Sequence, residues 1–318
     1  MKWTEPKVYA VKHKDARIRA ESRSGGIFTA LSDEVLKENG VVYGCVLTDT
    51  FQAVHIRAED VQTRNLMRGS KYIQSKLGDT YKNVEADLKT GRKVLFSGVS
   101  CQVAGLRGFL GKEYPNLFCI DIVCHGVPSP EVWKEYLTWQ EKKKSQKVAA
   151  ADFRNKKDYG WRESIETLTM EDGTKVDSRV FSTLFYSHNI LRPCCFECPY
   201  KAIMHPGDIT IGDYWGIEKA APEFDDNKGV SLVLVNNDLG ASAFEQVKMK
   251  LDFKSTLIED CLQLPLKAPC QRPESRDQFW TDFQTLDFSC VAKRYGGYGF
   301  MNVMRRKYGA VKMRLLHR

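Results

Sequence analysis

The sequence contains no apolar run long enough to cross a membrane and no apolar segment directly behind its first residues. A membrane-spanning helix needs about 18 or more consecutive apolar residues, and a secretory signal needs an apolar central region. We therefore expect a cytoplasmic protein. Internal repeats and low-complexity linkers are also lacking, which leaves an ordinary globular chain of 318 residues with room for one large domain or two moderate ones.

Two further absences concern nucleotides and acidic residues. No G-x-G-x-x-G fingerprint follows a predicted strand, so a standard dinucleotide-binding site is not supported. The last twenty residues contain no Asp or Glu. That stretch holds Arg305, Arg306, Lys307, Lys312, Arg314 and Arg318, which supply much of the net charge of +8. A solvated terminal helix is the commoner meaning of such a run, with peripheral membrane contact or an acidic partner as alternatives; we expect no nucleic-acid partner.

Strand patterns alternate with helix patterns through the first half of the chain, which predicts an α/β or α+β fold with a mainly parallel sheet flanked by helices. Predicted strands cover 7–11, 41–47, 52–57, 93–96 and 117–123. Helices are predicted from Gly26, over 79–89, after Cys101 to about Leu110, and from Pro130 behind a Ser129 cap. Later, 164–170 and 174–180 flank Glu171-Asp172-Gly173, a hairpin signal. We divide the chain into one domain over 1–300 and a basic, helical tail over 301–318.

Ten cysteines are present, and in a reducing compartment they favour metal binding or catalysis over disulfides. Cys195 and Cys198 form C-x-x-C, followed by a proline, as iron–sulfur ligands often are. Cys101 and Cys124 each follow a predicted apolar strand. Because ligands bind beyond the carboxyl ends of strands in open α/β sheets, these four thiols are predicted to meet in one pocket. Four thiols suit a 4Fe–4S cluster or an all-cysteine zinc site.

Other interpretations of the cysteines stay open. The C-x-x-C pair is also typical of half a zinc site or a redox dithiol, and a lone cysteine is usually a small buried hydrophobic residue. Cys45 and Cys119 lie inside apolar strands and are predicted core residues. Cys194, next to Cys195, is predicted to be a bystander. The remaining three, Cys261, Cys270 and Cys290, receive no role.

Two segments suit a phosphate-containing cofactor. Ser24, Gly25 and Gly26 open a helix, where free N–H groups and the helix dipole favour an anion. Arg68, Ser70, Lys71 and Tyr72 offer two cations, a hydroxyl and a ring to a pyrophosphate or a flavin edge. The plainer alternatives are a capped helix and a solvated loop. His125, beside Cys124, is a candidate proton shuttle, although such a histidine more often supports its neighbour.

Several stretches, taken together and in this order, resemble the beta subunits of coenzyme F-420 hydrogenases and dehydrogenases. They span roughly residues 7–236 and include Ser22–Phe28, Gly69–Ser75, Phe96–Leu106, Asp121–Ser129, Phe153–Lys157 with Gly160-Trp161, the Cys195/Cys198 pair and Asp208–Gly216. The resemblance implies FAD, a 4Fe–4S cluster on Cys101, Cys124, Cys195 and Cys198, and electron transfer between that cluster and a two-electron carrier.

The resemblance also implies partners and alternatives. Many relatives carry an N-terminal ferredoxin-like module, which this sequence does not contain, so a separate ferredoxin or ferredoxin-domain subunit is the expected electron partner. The carrier is a deazaflavin, coenzyme F-420, in methanogens. Other relatives act in bacteria without a deazaflavin, among polysaccharide-synthesis functions. The competing hypotheses are a non-redox protein with a structural four-cysteine zinc site and an interaction subunit that has lost its flavin.

Overall fold

The computed structural model describes residues 2–299, which build an eight-stranded sheet and a separate three-stranded sheet. The strands are β1 (Lys2–His13), β2 (Val41–Leu47), β3 (Ala53–Ala58), β4 (Val94–Val99), β5 (Leu117–Ile122), β6 (Val148–Asp152), β7 (Glu166–Met170), β8 (Lys175–Ser178), β9 (Ile209–Asp213), β10 (Ser231–Asn237) and β11 (Leu251–Thr256). In the large sheet they are ordered β11-β1-β10-β9-β5-β4-β2-β3.

The centre of the large sheet is parallel. β2 pairs with β4, β4 with β5 and β5 with β9 in parallel, whereas β3, β10, β1 and β11 are added by antiparallel pairing. β10 is antiparallel to β9, and β1 is antiparallel to β10. β1 therefore runs in the same direction as β9 and the other central strands. Five of the eight strands therefore share one direction, and the predicted α/β class is confirmed.

The small sheet forms an antiparallel meander, β6-β7-β8. Its second turn lies at Glu171–Gly173, where Gly173 has a φ of +83° that glycine adopts without strain. The predicted hairpin is therefore present. Both strands are shorter than predicted. The second ends at Ser178 because Val180–Tyr186 forms a helix.

Helices connect most of the strands, and their bounds follow the local capping chemistry. They are α1 (Ala16–Glu21), α2 (Ile27–Lys37), α3 (Val61–Asn65), α4 (Thr80–Lys89), α5 (Ser100–Leu110), α6 (Pro130–Lys144), α7 (Lys156–Tyr159), α8 (Val180–Tyr186), α9 (Ile217–Ala220), α10 (Asp238–Val247), α11 (Ile258–Cys261), α12 (Arg276–Thr285) and α13 (Phe288–Arg294). Ser129 accepts the Glu131 N–H ahead of α6, as predicted.

Helix α5 begins earlier than the sequence predicts. Cys101 is its second residue rather than part of a loop. The chain enters the helix directly from β4 because the Gln102 side chain accepts the Val99 N–H at 3.1 Å. No connecting loop separates the strand from the helix, and Cys101 therefore lies at the carboxyl end of β4.

The apolar core contains several clusters. The largest packs α6, α8 and the small sheet against α12 and α13, with Trp133, Phe181, Leu184, Phe279 and Val291 all buried. Within residues 2–299 we find no helix that is both long and apolar enough to cross a membrane. The single domain over 1–300 stays a prediction, and the predicted basic tail, 301–318, lies outside the described residues.

Candidate cofactor and cluster site

A cavity of about 310 Å³ lies at the carboxyl ends of the central strands. Its wall includes Ser97–Val99 at the end of β4, Ile122 and Val123 at the end of β5, and Ile211–Asp213 at the end of β9. Every cofactor-binding residue predicted from the sequence lines this cavity except Gly25. The parallel sheet therefore brings these distant segments together at the carboxyl ends of its central strands, where ligands bind in open α/β sheets.

The glycines before α2 have different roles. Gly26 borders the cavity with a φ of +97°. Gly25 lies behind it, where its N–H is donated to Ser231 Oγ at 2.8 Å and a Cβ atom would lie 2.0 Å from the Val11 carbonyl oxygen. Ser24 donates its hydroxyl to the Val230 carbonyl oxygen. Gly25 thus serves close packing of the loop on the sheet, which sequence spacing alone cannot distinguish from phosphate binding.

The first turn of α2 provides the free donors. Ile27, Phe28 and Thr29 line the cavity, and the helix has no side-chain cap at its start. The first amides of an α-helix have no partner inside the helix, and the positive end of the helix dipole favours an anion there. These amides directly follow Ser24–Gly26, and the anion site predicted at this helix start stays a prediction.

The 68–72 segment forms the opposite wall. Arg68 pairs with Glu21 and donates through Nε to Thr29 Oγ1 at 3.1 Å. Lys71 donates to the Met67 and Arg68 carbonyl oxygens at 2.8 and 2.7 Å, and burial lowers its pKa to about 8. Tyr72 stacks on Phe185 with ring centroids 4.8 Å apart. Ser70 also borders the cavity.

Three cations beside this cavity lack an acidic partner. Arg23, Lys71 and Lys156 have no carboxylate within 4.0 Å in the described part of the chain, and their donors bind backbone carbonyl groups. Arg23 Nε is buried without an acceptor among residues 2–299. The positive charge of these three cations would attract the same kind of ligand, an anion, as the start of α2.

A second compartment of about 320 Å³ shares a wall with the first. Lys71, Tyr72, Val99, Ile122 and Asp213 border both spaces. The second compartment adds three further rings and reaches the cysteine region, through Phe185, Tyr186, Trp215, Cys124 and His125. The two compartments are therefore neighbours, one at the start of α2 and the other at Cys124.

The four predicted ligands lie on three segments that converge next to this space. Cys101 is in the first turn of α5, Cys124 follows β5, and Cys195 and Cys198 lie at the short helical turn Pro193–Glu197. Cys101 interacts electrostatically with Cys198, and Cys124 with Cys195 and Cys101. The fold therefore brings these four thiols into one region, and their binding of a metal group stays a prediction.

Burial governs the ionisation of these thiols. It raises the pKa of Cys101 and Cys195, and it raises the pKa of Cys124 to about 12, opposed by Lys201. The backbone amides of Gly126 and Val127 lower the pKa of Cys124 and Cys195, respectively, but by less than burial raises it. The free thiols of Cys101, Cys124 and Cys195 are therefore protonated at neutral pH, whereas a bound metal deprotonates a coordinating thiol.

The spacing of the sulfurs bears on the kind of metal group. A tetrahedral zinc with Zn–S bonds of about 2.3 Å holds its sulfurs about 3.8 Å apart. Among residues 2–299, one group of three possible metal ligands has all its ligand atoms within 4.8 Å of one another: His125, His188 and Cys270. No three of the four candidate cysteines lie that close together. In a 4Fe–4S cluster each cysteine binds a separate iron, so wider spacing is required.

His125 forms a pair with His188. Their Nε2 atoms are 2.9 Å apart, and Cys270 donates to the His125 carbonyl oxygen. Burial, then His188, then Lys201 lower the pKa of His125 to about 4, so the imidazole is neutral at pH 7. The positive charge of Lys201 also disfavours a metal cation here, since it acts on His125, His188 and Cys270 alike.

Sequence patterns do not single out three further residues of the site. Arg154 bridges Asp213 at 2.5 Å and Tyr72 at 3.5 Å on the wall of the second compartment. His55 lines the first, and Lys201 lies among the cysteines. None of the three follows a recognisable spacing, and the 153–157 stretch of the family resemblance is the one signal that includes Arg154.

Comparison with protein families gives a match over residues 91–260, to the C terminus of the beta subunit in the coenzyme F420 hydrogenase/dehydrogenase family. The chain belongs to this family. The resemblance predicted from the sequence is thereby confirmed. The α5 start, the loop after β5 and the C-x-x-C pair all lie inside the match, so it contains all four candidate cysteines. No curated protein sequence matches the chain.

A solved structure shares the fold of this family member. It is a chain in the xenon-derivatised F420-reducing [NiFe] hydrogenase complex from Methanosarcina barkeri, 18% identical, with a TM-score of 0.55. The alignment covers 79% of the present chain and 82% of the other. At this identity the likeness concerns the fold.

Proposed function

We propose that this family member is an iron–sulfur flavoprotein that passes electrons between a ferredoxin-type donor and a two-electron carrier or substrate. One observation carries the proposal: four thiols converge beside a compartment that Cys124 borders, and this compartment shares wall residues with a cavity at an electropositive helix start. Such a space suits two cofactors side by side, one held by cysteine and one holding phosphate.

Cys101, Cys124, Cys195 and Cys198 would hold a 4Fe–4S cluster. The donor set fits, since all four are thiols and backbone amides favour the thiolate form of two of them, Cys124 and Cys195. Among residues 2–299 no three of these sulfurs all lie within 4.8 Å of one another, which is a looser arrangement than a tetrahedral zinc site holds. Cys101 is exposed, so it marks the side on which a ferredoxin or ferredoxin-domain subunit would dock.

The first cavity would hold FAD. The first-turn amides of α2 would bind the pyrophosphate, Arg23 and Lys71 would supply positive charge beside it, and Tyr72 would border the ring. When bound, the cluster supplies one-electron transfer and the flavin converts single electrons into two-electron steps. The residues of the chain position the two groups next to each other.

The second compartment would hold the carrier or substrate. Its rings, Tyr72, Phe185, Tyr186 and Trp215, suit a planar ligand, and Arg154 is fixed there by Asp213. A deazaflavin fits this lining, as does a substrate of a reductive step linked to polysaccharide synthesis. His125 borders the compartment as a neutral imidazole, able to relay a proton from its partner His188 without carrying charge.

The proposal is tested on anaerobically purified protein by a visible spectrum with iron, sulfide, zinc and flavin assays. About four irons and one flavin per chain are expected. A colourless protein with one zinc would replace the redox function with a structural metal site. Iron without flavin, together with no flavin binding on addition of FAD, would indicate an interaction subunit that has lost its flavin.

A further inference from the structure

Lys201 is a buried cation between the C-x-x-C pair and β9. It is 6% exposed, and its Nζ donates to the Cys124 carbonyl oxygen. In the described part of the chain no carboxylate lies within 4.0 Å of it. Burying an ammonium group without a counter-charge is costly, so its surroundings should supply a negative charge.

The negative charge should come from one of the titratable groups that interact electrostatically with Lys201. They are the thiols of Cys124, Cys195 and Cys270 and the imidazoles of His125 and His188. Imidazoles cannot become anions near neutral pH. Only thiols can, and Cys124 and Cys195 belong to the set that would hold the cluster.

Two other poorly exposed lysines show that Lys201 is unusual. Lys71 and Lys156 each donate to four backbone carbonyl oxygens, which satisfy their ammonium protons. Lys201 donates to one carbonyl oxygen. An ammonium group has three donors, so two of them remain for sulfur in the part of the chain that the structure describes.

We propose that Lys201 is the counter-ion of the cluster on Cys101, Cys124, Cys195 and Cys198 and raises its reduction potential. The inference rests on the proposed function. Reduction adds one electron from the ferredoxin-type donor and makes the cluster one unit more negative, with no bond broken and no proton required. A fixed positive charge and N–H···S bonds stabilise that state more than the oxidised one.

The test is a redox titration of holoprotein followed by electron paramagnetic resonance. Lys201→Gln keeps an N–H donor for the Cys124 carbonyl but removes the charge, and Lys201→Arg keeps the charge. Lys267→Met, at an exposed position, controls for the change in net charge. We expect a lower midpoint potential in Lys201→Gln than in wild type, with Lys201→Arg and Lys267→Met close to wild type.

Equal potentials in wild type and iron-loaded Lys201→Gln would overturn the inference and leave Lys201 as a backbone clamp. If Lys201→Gln folds by circular dichroism but retains no iron while Lys201→Arg does, the charge is needed for assembly, which supports the counter-ion role. Loss of iron in both variants would overturn it, because shape and not charge would then decide. Absence of iron in wild type would instead refute the proposed function itself.

Discussion

The two halves of the site are built in different ways. The cavity at α2 depends on backbone: helix amides, a glycine packed against the sheet and carbonyl groups that bind cations. The cysteine region depends on side chains carried by a helix start, a strand end and a short turn. A site made of backbone should be sensitive to sterics, whereas a site made of thiols should be sensitive to the identity of single atoms.

Gly25→Ala should have the largest effect and tests the backbone half. The new Cβ would lie 2.0 Å from the Val11 carbonyl oxygen and 2.6 Å from the Ser231 nitrogen, so the loop must move off the sheet. We expect a loss of about 3 kcal/mol or more in the free energy of unfolding, together with loss of flavin. Chemical denaturation and a flavin assay measure the two effects.

Gly108→Ala is the matched control for that substitution. Gly108 lies in α5, and a Cβ there meets no atom within 4 Å. Alanine should stabilise the helix by about 0.5–1 kcal/mol. If Gly25→Ala behaved like Gly108→Ala, the close packing of the α2 loop would not matter to the cavity.

Cys195→Ser tests the side-chain half. A serine hydroxyl is a poor ligand for iron, so we expect loss of most of the iron while the flavin content stays near one per chain. Cys194→Ser changes the adjacent, exposed cysteine and should retain the iron. Iron and flavin assays on both variants decide. Loss of flavin along with the iron in Cys195→Ser would show that the two halves are not independent.

The difference between a site built of side chains and a site built of backbone also explains which features can be predicted from the sequence. The convergence of Cys101, Cys124, Cys195 and Cys198 can be predicted from residue type and position, because two of them follow neighbouring parallel strands and two form a C-x-x-C pair, whereas their binding of a metal group stays a prediction. β2 has the predicted bounds, Val41–Leu47, since its apolar β-branched run is bounded by a glycine and a turn. Local chemistry is sufficient for such features.

The remaining features depend on long-range contacts. Gly25 is assigned to phosphate binding by sequence, yet its environment is set by Val11 and Ser231, which are distant along the chain. Lys201 lies close behind Cys198 in the sequence, but its burial and its bond to the Cys124 carbonyl oxygen, 77 residues earlier, follow only from the fold. Strand β1 is longer than predicted because its pairing with β10 extends it to Lys2.

Lys71→Met sharpens the comparison at the cavity. It removes a cation that has no acidic partner and should weaken FAD binding about tenfold, equivalent to about 1.4 kcal/mol, with iron unchanged. Lys76→Met removes an exposed lysine bonded to Gln52 and is the control. Titration of deflavinated protein with FAD measures both. Equal affinity in the two variants would exclude Lys71 from cofactor binding.

His55→Gln should have the smallest effect and tests whether the cavity wall is kept uncharged. Burial lowers the pKa of His55 to about 4, and Nε2 bonds to the Ser97 carbonyl oxygen at 3.1 Å. The unfolded chain, with a pKa near 6.5, binds a proton first as pH falls, so wild type loses about 1 kcal/mol of stability from this group between pH 7 and 5.5. Glutamine can make the same bond but does not titrate. The difference in stability between variant and wild type should therefore move in favour of the variant as pH falls, and a constant difference across that range would mean that His55 is charged in the folded protein or already accessible to water.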